Sequence, residues 1–285
     1  MEERGYLRRV IATTAYNLKI FCIGKGTIMR FLRRGIFLVL IQMVSLYALE
    51  LANLSNAIEK AREQSVLTQK ILANYAMVGM HNSFQNPEET FAKSIQTFEE
   101  NMEALDAFAT SKKAFINSEK VMESWEPVKK ALLAQKSREG ALKLLTQMDG
   151  LLALTRETTE IYTRQTGSML GKIIDASADI GIHAQRMSML YLLKAWGEKE
   201  ARVDKEMKRS IAQFQKSITL LKDARVNTPE IRKVLKEVER AFMYFTVMDT
   251  LDSSAIPTLI YQKSNTILKA ANTLAVLYNK TITLN

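Results

Sequence analysis

The chain has 285 residues, 47% of them hydrophobic and 25% charged, a globular composition that excludes disorder as its main state. Only 11 Gly and 4 Pro are available as turn material, which excludes a many-stranded sheet and points to an all-α protein. Two His and one Cys exclude a zinc finger, a disulfide scaffold and an iron–sulfur protein, so no cofactor or metal is expected. The formal net charge of +10 suggests nucleic acid until it is mapped onto the chain.

Residues 1–34 carry +6 of that charge, through eight basic side chains against Glu2 and Glu3, and leave +4 for everything else. This basic block ends at Arg33-Arg34 and abuts an uncharged run from Gly35 to Leu49 that continues past Glu50 as Leu51-Ala52-Asn53-Leu54. Arginine at one end and glutamate at the other can snorkel toward opposite headgroup layers, so 35–54 is read as one transmembrane helix. The positive-inside rule places 1–34 in the cytoplasm and the remainder outside it, in the periplasm of a bacterial inner-membrane protein. A basic stretch that ends at a membrane-length apolar run is not a recognition helix, and no nucleic-acid partner is expected. Cys22 falls on the cytoplasmic side, and the exported part contains no cysteine.

From residue 55 onward the apolar periodicity is helical throughout. Helices are expected near 55–80, 88–110, 113–135 and 138–166, and again near 170–198, 202–225, 228–250 and 254–282. Asn86-Pro87-Glu88-Glu89 offers a capping residue, a proline at the first helical position and a glutamate two positions later. Thr228-Pro229-Glu230 repeats the device.

The chain also resembles itself. Phe91–Phe98 parallels Met207–Phe214, and Thr159–Tyr162 parallels Ala275–Tyr278, both at a separation of 116; Trp125 and Phe242 pair at 117. Gln64, Thr68, Ile71 and Tyr75 share their spacing with Gln185, Met189, Leu192 and Trp196 at a separation of 121, which implies a five-residue insertion in the loop 81–89. The expected architecture is therefore two tandem four-helix bundles, 55–166 and 167–285, in series on the membrane helix. Only Gly167 and Gly171 interrupt the pattern between the bundles, so the last helix of the first is expected to run on into the first helix of the second.

Ala184-Gln185-Arg186-Met187-Ser188-Met189 resembles the first-helix motif of PilJ-type sensory domains from type IV pilus chemotaxis receptors, with related helices in nitrate/nitrite sensor kinases. Ala61–Lys70 carries a weaker version, and Trp125 and Tyr162 resemble the family's helix-three Trp and helix-four Tyr. The family's glycine before the Gln-Arg-Met core is replaced by His183-Ala184, and Ser65 stands where the first repeat should have its arginine. The resemblance implies a tandem extracytoplasmic sensory module with Arg186 as the anion contact at a dimer interface. An arginine on an apolar helix face needs an anionic partner in any case, because burying it alone is costly. The alternative partner for Arg186 is a carboxylate of the protein, Asp175, Asp179 or one on a neighbouring helix.

The candidate ligand-binding residues are Arg186, Gln185, His183 and Gln64; His183 lies one turn from Arg186 and can assist an anion or sense pH. Gln64 and Gln185 can equally cross-link helices, and Trp125, Phe242, Trp196 and Tyr75 are core anchors. No phosphate loop, nucleophile–base set or metal-spaced histidine pair is present in the sequence, so an enzyme is not expected. Two functions fit. One is a membrane-anchored sensory or ligand-binding module, taking a small anion or solute and signalling through a separate protein in a homo- or hetero-oligomer. The other is a scaffold or spacer of an envelope machine, a pilus or flagellar motor, that reuses the sensory fold without a ligand.

Overall fold

The computed structural model describes residues 54–165, 171–197, 199–248 and 257–283. They form eight helices: α1 (Leu54–Gly79), α2 (Pro87–Ala107), α3 (Lys112–Leu133), α4 (Arg138–Gln165), α5 (Gly171–Ala195), α6 (Ala201–Lys222), α7 (Pro229–Met248) and α8 (Pro257–Thr283). No strand occurs among the described residues, and the all-α expectation is met. The chain divides into two compact units, Met1–Glu50 and Leu51–Asn285, and every described residue belongs to the second. The expected basic segment and all but the last residue of the expected membrane span lie outside the described residues. No helix among the described residues is long and apolar enough to cross a membrane.

The proline starts behave as the sequence suggests: α2 and α7 begin at Pro87 and Pro229, where a missing N–H costs nothing. The Thr228 hydroxyl accepts from the Ile231 N–H at 3.2 Å, and Ser111 caps α3 by accepting from the Ala114 N–H at 3.2 Å. Asn86 departs from the expected cap. It sits at φ 49°, in the left-handed region, and its amide donates to Glu89 at 2.7 Å instead of serving the helix N-terminus.

Within each repeat the four helices form a bundle: α1 packs on α2 and α4, α5 on α6 and α8, and α3 and α7 close the outer corners. The repeats do not stand in series. Arg156 on α4 and Asp179 on α5 form an ion pair at 2.7 Å, whereas one straight helix would hold them roughly 35 Å apart. The chain thus reverses between α4 and α5, and α1 packs directly along α5. Contacts along this pair advance together, from Arg62–Asp175 at one end to Tyr75–Trp196 at the other, so α1 and α5 are parallel. The physical reason lies in the helices themselves. In α5, Ile180, Ile182, Ala184, Met187, Leu190 and Leu192 are all buried, and so are Gln64 through Gln69 and Ile71 through Met77 of α1, apart from Val66. Helices buried on nearly every side, polar residues included, must be surrounded, which an end-to-end arrangement cannot provide. One core cluster accordingly runs through both bundles, with a smaller one around Ala57, Leu105 and Tyr162.

The duplication is visible in side-chain detail. Tyr162 donates to the Leu105 carbonyl and Tyr278 to the Leu221 carbonyl, each at 3.3 Å and each pair displaced by 116 residues. Phe98 packs on Trp125 with the rings tilted and 4.4 Å between centres, and Phe214 stacks on Phe242 at 4.2 Å. The same displacement holds for the first helices, since α1 and α5 end at Gly79 and Ala195. The separation of 121 read from Gln64 and Tyr75 is therefore corrected to 116, and no five-residue insertion is present. In the corrected register Gln69-Lys70 matches Gln185-Arg186.

Candidate functional site

Arg186 projects from the middle of α5 into the junction of α1, α4, α5 and α6. Its guanidinium donates to Asp149 on α4 at 2.6 Å, to Glu206 on α6 at 2.9 Å and to the Gln69 side-chain oxygen on α1 at 3.1 Å. The side chain is 7% exposed. Burial works against its charge, but the hydrogen bonds and Coulombic pull of Asp149 and then Glu206 outweigh that and hold its pKa above the ordinary arginine value. Arg202 reinforces the cluster from α6 by donating to Asp149 at 3.0 Å and to Thr146 at 2.6 Å. Two carboxylates on one buried guanidinium meet its need for an anion from within the protein.

The other candidate residues divide between structural roles. His183 lies one turn before Arg186, and burial first, then Arg156, Arg186 and Arg209, depress its pKa to about 3. It is a neutral imidazole at physiological pH, and its buried Nδ1 has no hydrogen-bond partner. Gln185 is fully buried; its amide donates to Asn265 on α8 at 3.1 Å while its oxygen has no partner. Gln64 faces α2, where its amide reaches the Phe98 carbonyl at 3.5 Å. Gln185, His183 and Arg186 are thus neighbours on α5, and Gln64 cross-links another part of the first bundle.

Two grooves flank the α1–α5 pair and are related by the duplication. The first, of about 240 Å³, lies against α4 and is crossed by Arg62–Asp175 and Arg156–Asp179, both at 2.7 Å, with Ser65 donating to Thr155 at 3.0 Å below them. The second, of about 310 Å³, lies against α8. There the residues equivalent to Arg156, Thr159 and Glu160 are Asn272, Ala275 and Val276, and Ala178 stands for Arg62. Glu59 and Glu63 stand for Asp175 and Asp179, so the acids of the crossing are kept and its arginines are not. Gly181 sits under this groove where a Cβ would come within 3.1 Å of Leu268 and 3.3 Å of Ala271.

The sequence reading missed Asp149, Glu206 and Gln69 as partners of Arg186, and Lys70 as its repeat counterpart. A signal for Lys70 existed in the recurrence of Gln followed by a base, visible once the two first helices are set 116 apart. Among the described residues, no cluster of His, Cys, Asp and Glu fit to hold a metal occurs. No family model, curated protein or solved structure matches the chain.

Proposed function

We propose that this chain is a membrane-anchored sensory module, held by residues 35–54 with 1–34 on the cytoplasmic side, whose tandem bundle binds a small solute outside the cytoplasm of a bacterial cell and signals to a separate partner protein. The observation that carries the reading is the parallel α1–α5 pair. Helices α2 and α4 lean on α1, α6 and α8 lean on α5, and α1 follows the expected span directly in sequence. A solute that changed the packing beside this pair would therefore bear on the helix that leads to the membrane. The likeness of Gln185-Arg186-Met187 to the PilJ-type motif supports the same reading, although Arg186 is engaged by Asp149 and Glu206 and serves as an internal clamp. That engagement favours a second reading, a scaffold that keeps the sensory fold without a ligand.

Hydrogen exchange on the full chain in a neutral detergent, with and without a panel of small inorganic and organic anions, separates the two. The sensory reading expects an anion that alters exchange in the first turns of α1, around residues 54–60. The scaffold reading expects unchanged exchange across the panel and a stoichiometric partner on copurification.

A further inference from the structure

Applying the 116-residue displacement to the Arg186 cluster yields a second cluster with a different charge. Arg186 maps onto Lys70, Gln69 onto Gln185, Asp149 onto Asn265 and Glu206 onto Thr90. Both carboxylates that close the Arg186 site are thus neutral residues at the Lys70 site. Lys70 and Asn265 still line one open hollow of about 550 Å³ between α1 and α8, together with Lys269 and Asn272, and this hollow shares Lys70, Leu268 and Asn272 with the deeper 310 Å³ groove.

Lys70 is half-buried there and forms no ion pair among the described residues. Burial lowers its pKa below the ordinary lysine value, Glu63 pulls it back up, and Lys93 lowers it further. An ammonium held partly out of water without a bonded counter-ion is a site of unmet charge. The Gln185 oxygen tells the same story. Its counterpart on Gln69 accepts from Arg186 at 3.1 Å, whereas the Gln185 oxygen is buried and unpartnered. Toward the hollow this cation is joined by Lys269 and by no acid, and Leu268 and Ala271 lie beside it as apolar lining. Glu59 and Glu63, the counterparts of Asp175 and Asp179, also line the deeper groove, whereas Ala178 and Asn272 replace the arginines that pair with those acids on α4.

We propose that the α1–α8 groove binds a small organic acid, a carboxylate on a short apolar chain, with Lys70 and the Asn272 amide donating to the carboxylate and the apolar chain lying over Leu268 and Ala271. Charge and shape select this class together: an inorganic anion leaves the apolar floor uncovered, and an uncharged apolar molecule leaves Lys70 unpaired. The proposal rests on the sensory reading for its purpose and names that reading's solute class; the site itself is argued from the two unequal clusters.

The test is thermal unfolding of the full chain in neutral detergent with hexanoate, against hexan-1-ol and against chloride at matched ionic strength. Hexanoate is expected to raise the midpoint by several degrees, and neither control to match it. The rise is expected to vanish in Lys70→Met and in Asn265→Asp. The second variant rebuilds the carboxylate that closes the Arg186 site, so without ligand it is expected to melt above the unsubstituted protein, which guards against loss of the fold as the explanation. No hexanoate effect at tens of millimolar, an equal effect in both variants, or an equal effect of hexan-1-ol would overturn the proposal. Lys70-dependent hexanoate binding that leaves hydrogen exchange at 54–60 unchanged would uphold the site and remove the sensory reading.

Discussion

Arg186 and Lys70 occupy equivalent positions on α5 and α1, 116 residues apart, and only Arg186 is bonded to carboxylates among the described residues. A duplicated fold has thus kept one cation as a clamp joining four helices and left the other facing a groove. The asymmetry comes from two substitutions on neighbouring helices, Asp149 against Asn265 and Glu206 against Thr90.

If Arg186 is the clamp, removing it leaves Asp149 with Arg202 alone and Glu206 with only the longer Arg209 pair at 3.8 Å, in a part-buried site. Arg186→Met is expected to lower stability by about 3–5 kcal/mol in urea unfolding, the usual cost of breaking a buried pair. The combined change Arg186→Met, Asp149→Asn, Glu206→Gln is expected to recover most of that loss. A triple variant as unstable as the single one would show that Arg186 acts through its packing and not its charge.

Gly79 ends α1 against the face of Trp196. A Cβ placed there would lie 2.2 Å from the nearest indole carbon. Gly79→Ala is therefore expected to destabilise the fold by about 1–3 kcal/mol, although alanine is the better helix former. Trp196 fluorescence should change with it, since the indole must move and also packs on Tyr75 with ring centres 6.0 Å apart. A neutral or stabilising outcome would mean that α1 and α5 do not converge at this end.

His183 gives the fold a pH dependence of known sign. The native imidazole resists protonation down to about 3, whereas in the unfolded chain it takes a proton near 6.5. Below 6.5 the unfolded state binds the extra proton, so stability is complete above that pH and declines by at most about 1.4 kcal/mol per unit as pH falls, levelling off near 3. Urea midpoints between pH 7 and 5 should show this slope, and His183→Gln should remove its share. Identical slopes in the two proteins would place His183 in water.

The helix count and starts were legible because prolines, caps and apolar stripes mark them: every start falls within three residues of the expected position. The duplication was legible on α2, α3 and α4, where one or two aromatics punctuate a half-exposed helix, as Phe98, Trp125 and Tyr162 do. It was misread on α1 and α5 because both are buried on nearly every side. A helix buried nearly all round offers several registers, and Tyr75 against Trp196 fits one of them as well as Tyr75 against Tyr191 fits the true one. The partners of Arg186 were beyond the sequence for a related reason: Asp149 and Glu206 look like ordinary surface acids until the reversal after α4 brings them to α5. The two glycines at that junction are compatible with a run-through helix, and the burial demand of α5 decides against it.

Tyr278 carries more than its counterpart Tyr162. Besides the shared carbonyl bond, its hydroxyl donates to the Asn227 side chain at 2.7 Å, and Asn227 in turn donates to the Leu221 and Lys222 carbonyls at 2.7 and 3.0 Å, tying the α6–α7 loop to α8. Tyr278→Phe is expected to cost about 1–3 kcal/mol, since a buried acceptor is left unpaired, and Tyr162→Phe about 1 kcal/mol. Equal losses in the two variants would remove Asn227 from this role.

The side-by-side packing of the repeats around the α1–α5 pair underlies the clamp, the two grooves and the assignment of equivalent residues. Its most direct test is a distance across the α4–α5 reversal in the full chain: spin labels on cysteines replacing Arg156 and Asp179, in a Cys22→Ser background, read by pulsed electron paramagnetic resonance. The structure predicts a narrow distribution below roughly 20 Å, set by an ion pair of 2.7 Å lengthened by the two labels. A distribution centred near 35 Å, the span of 23 residues of straight helix, would contradict it and restore the two bundles in series.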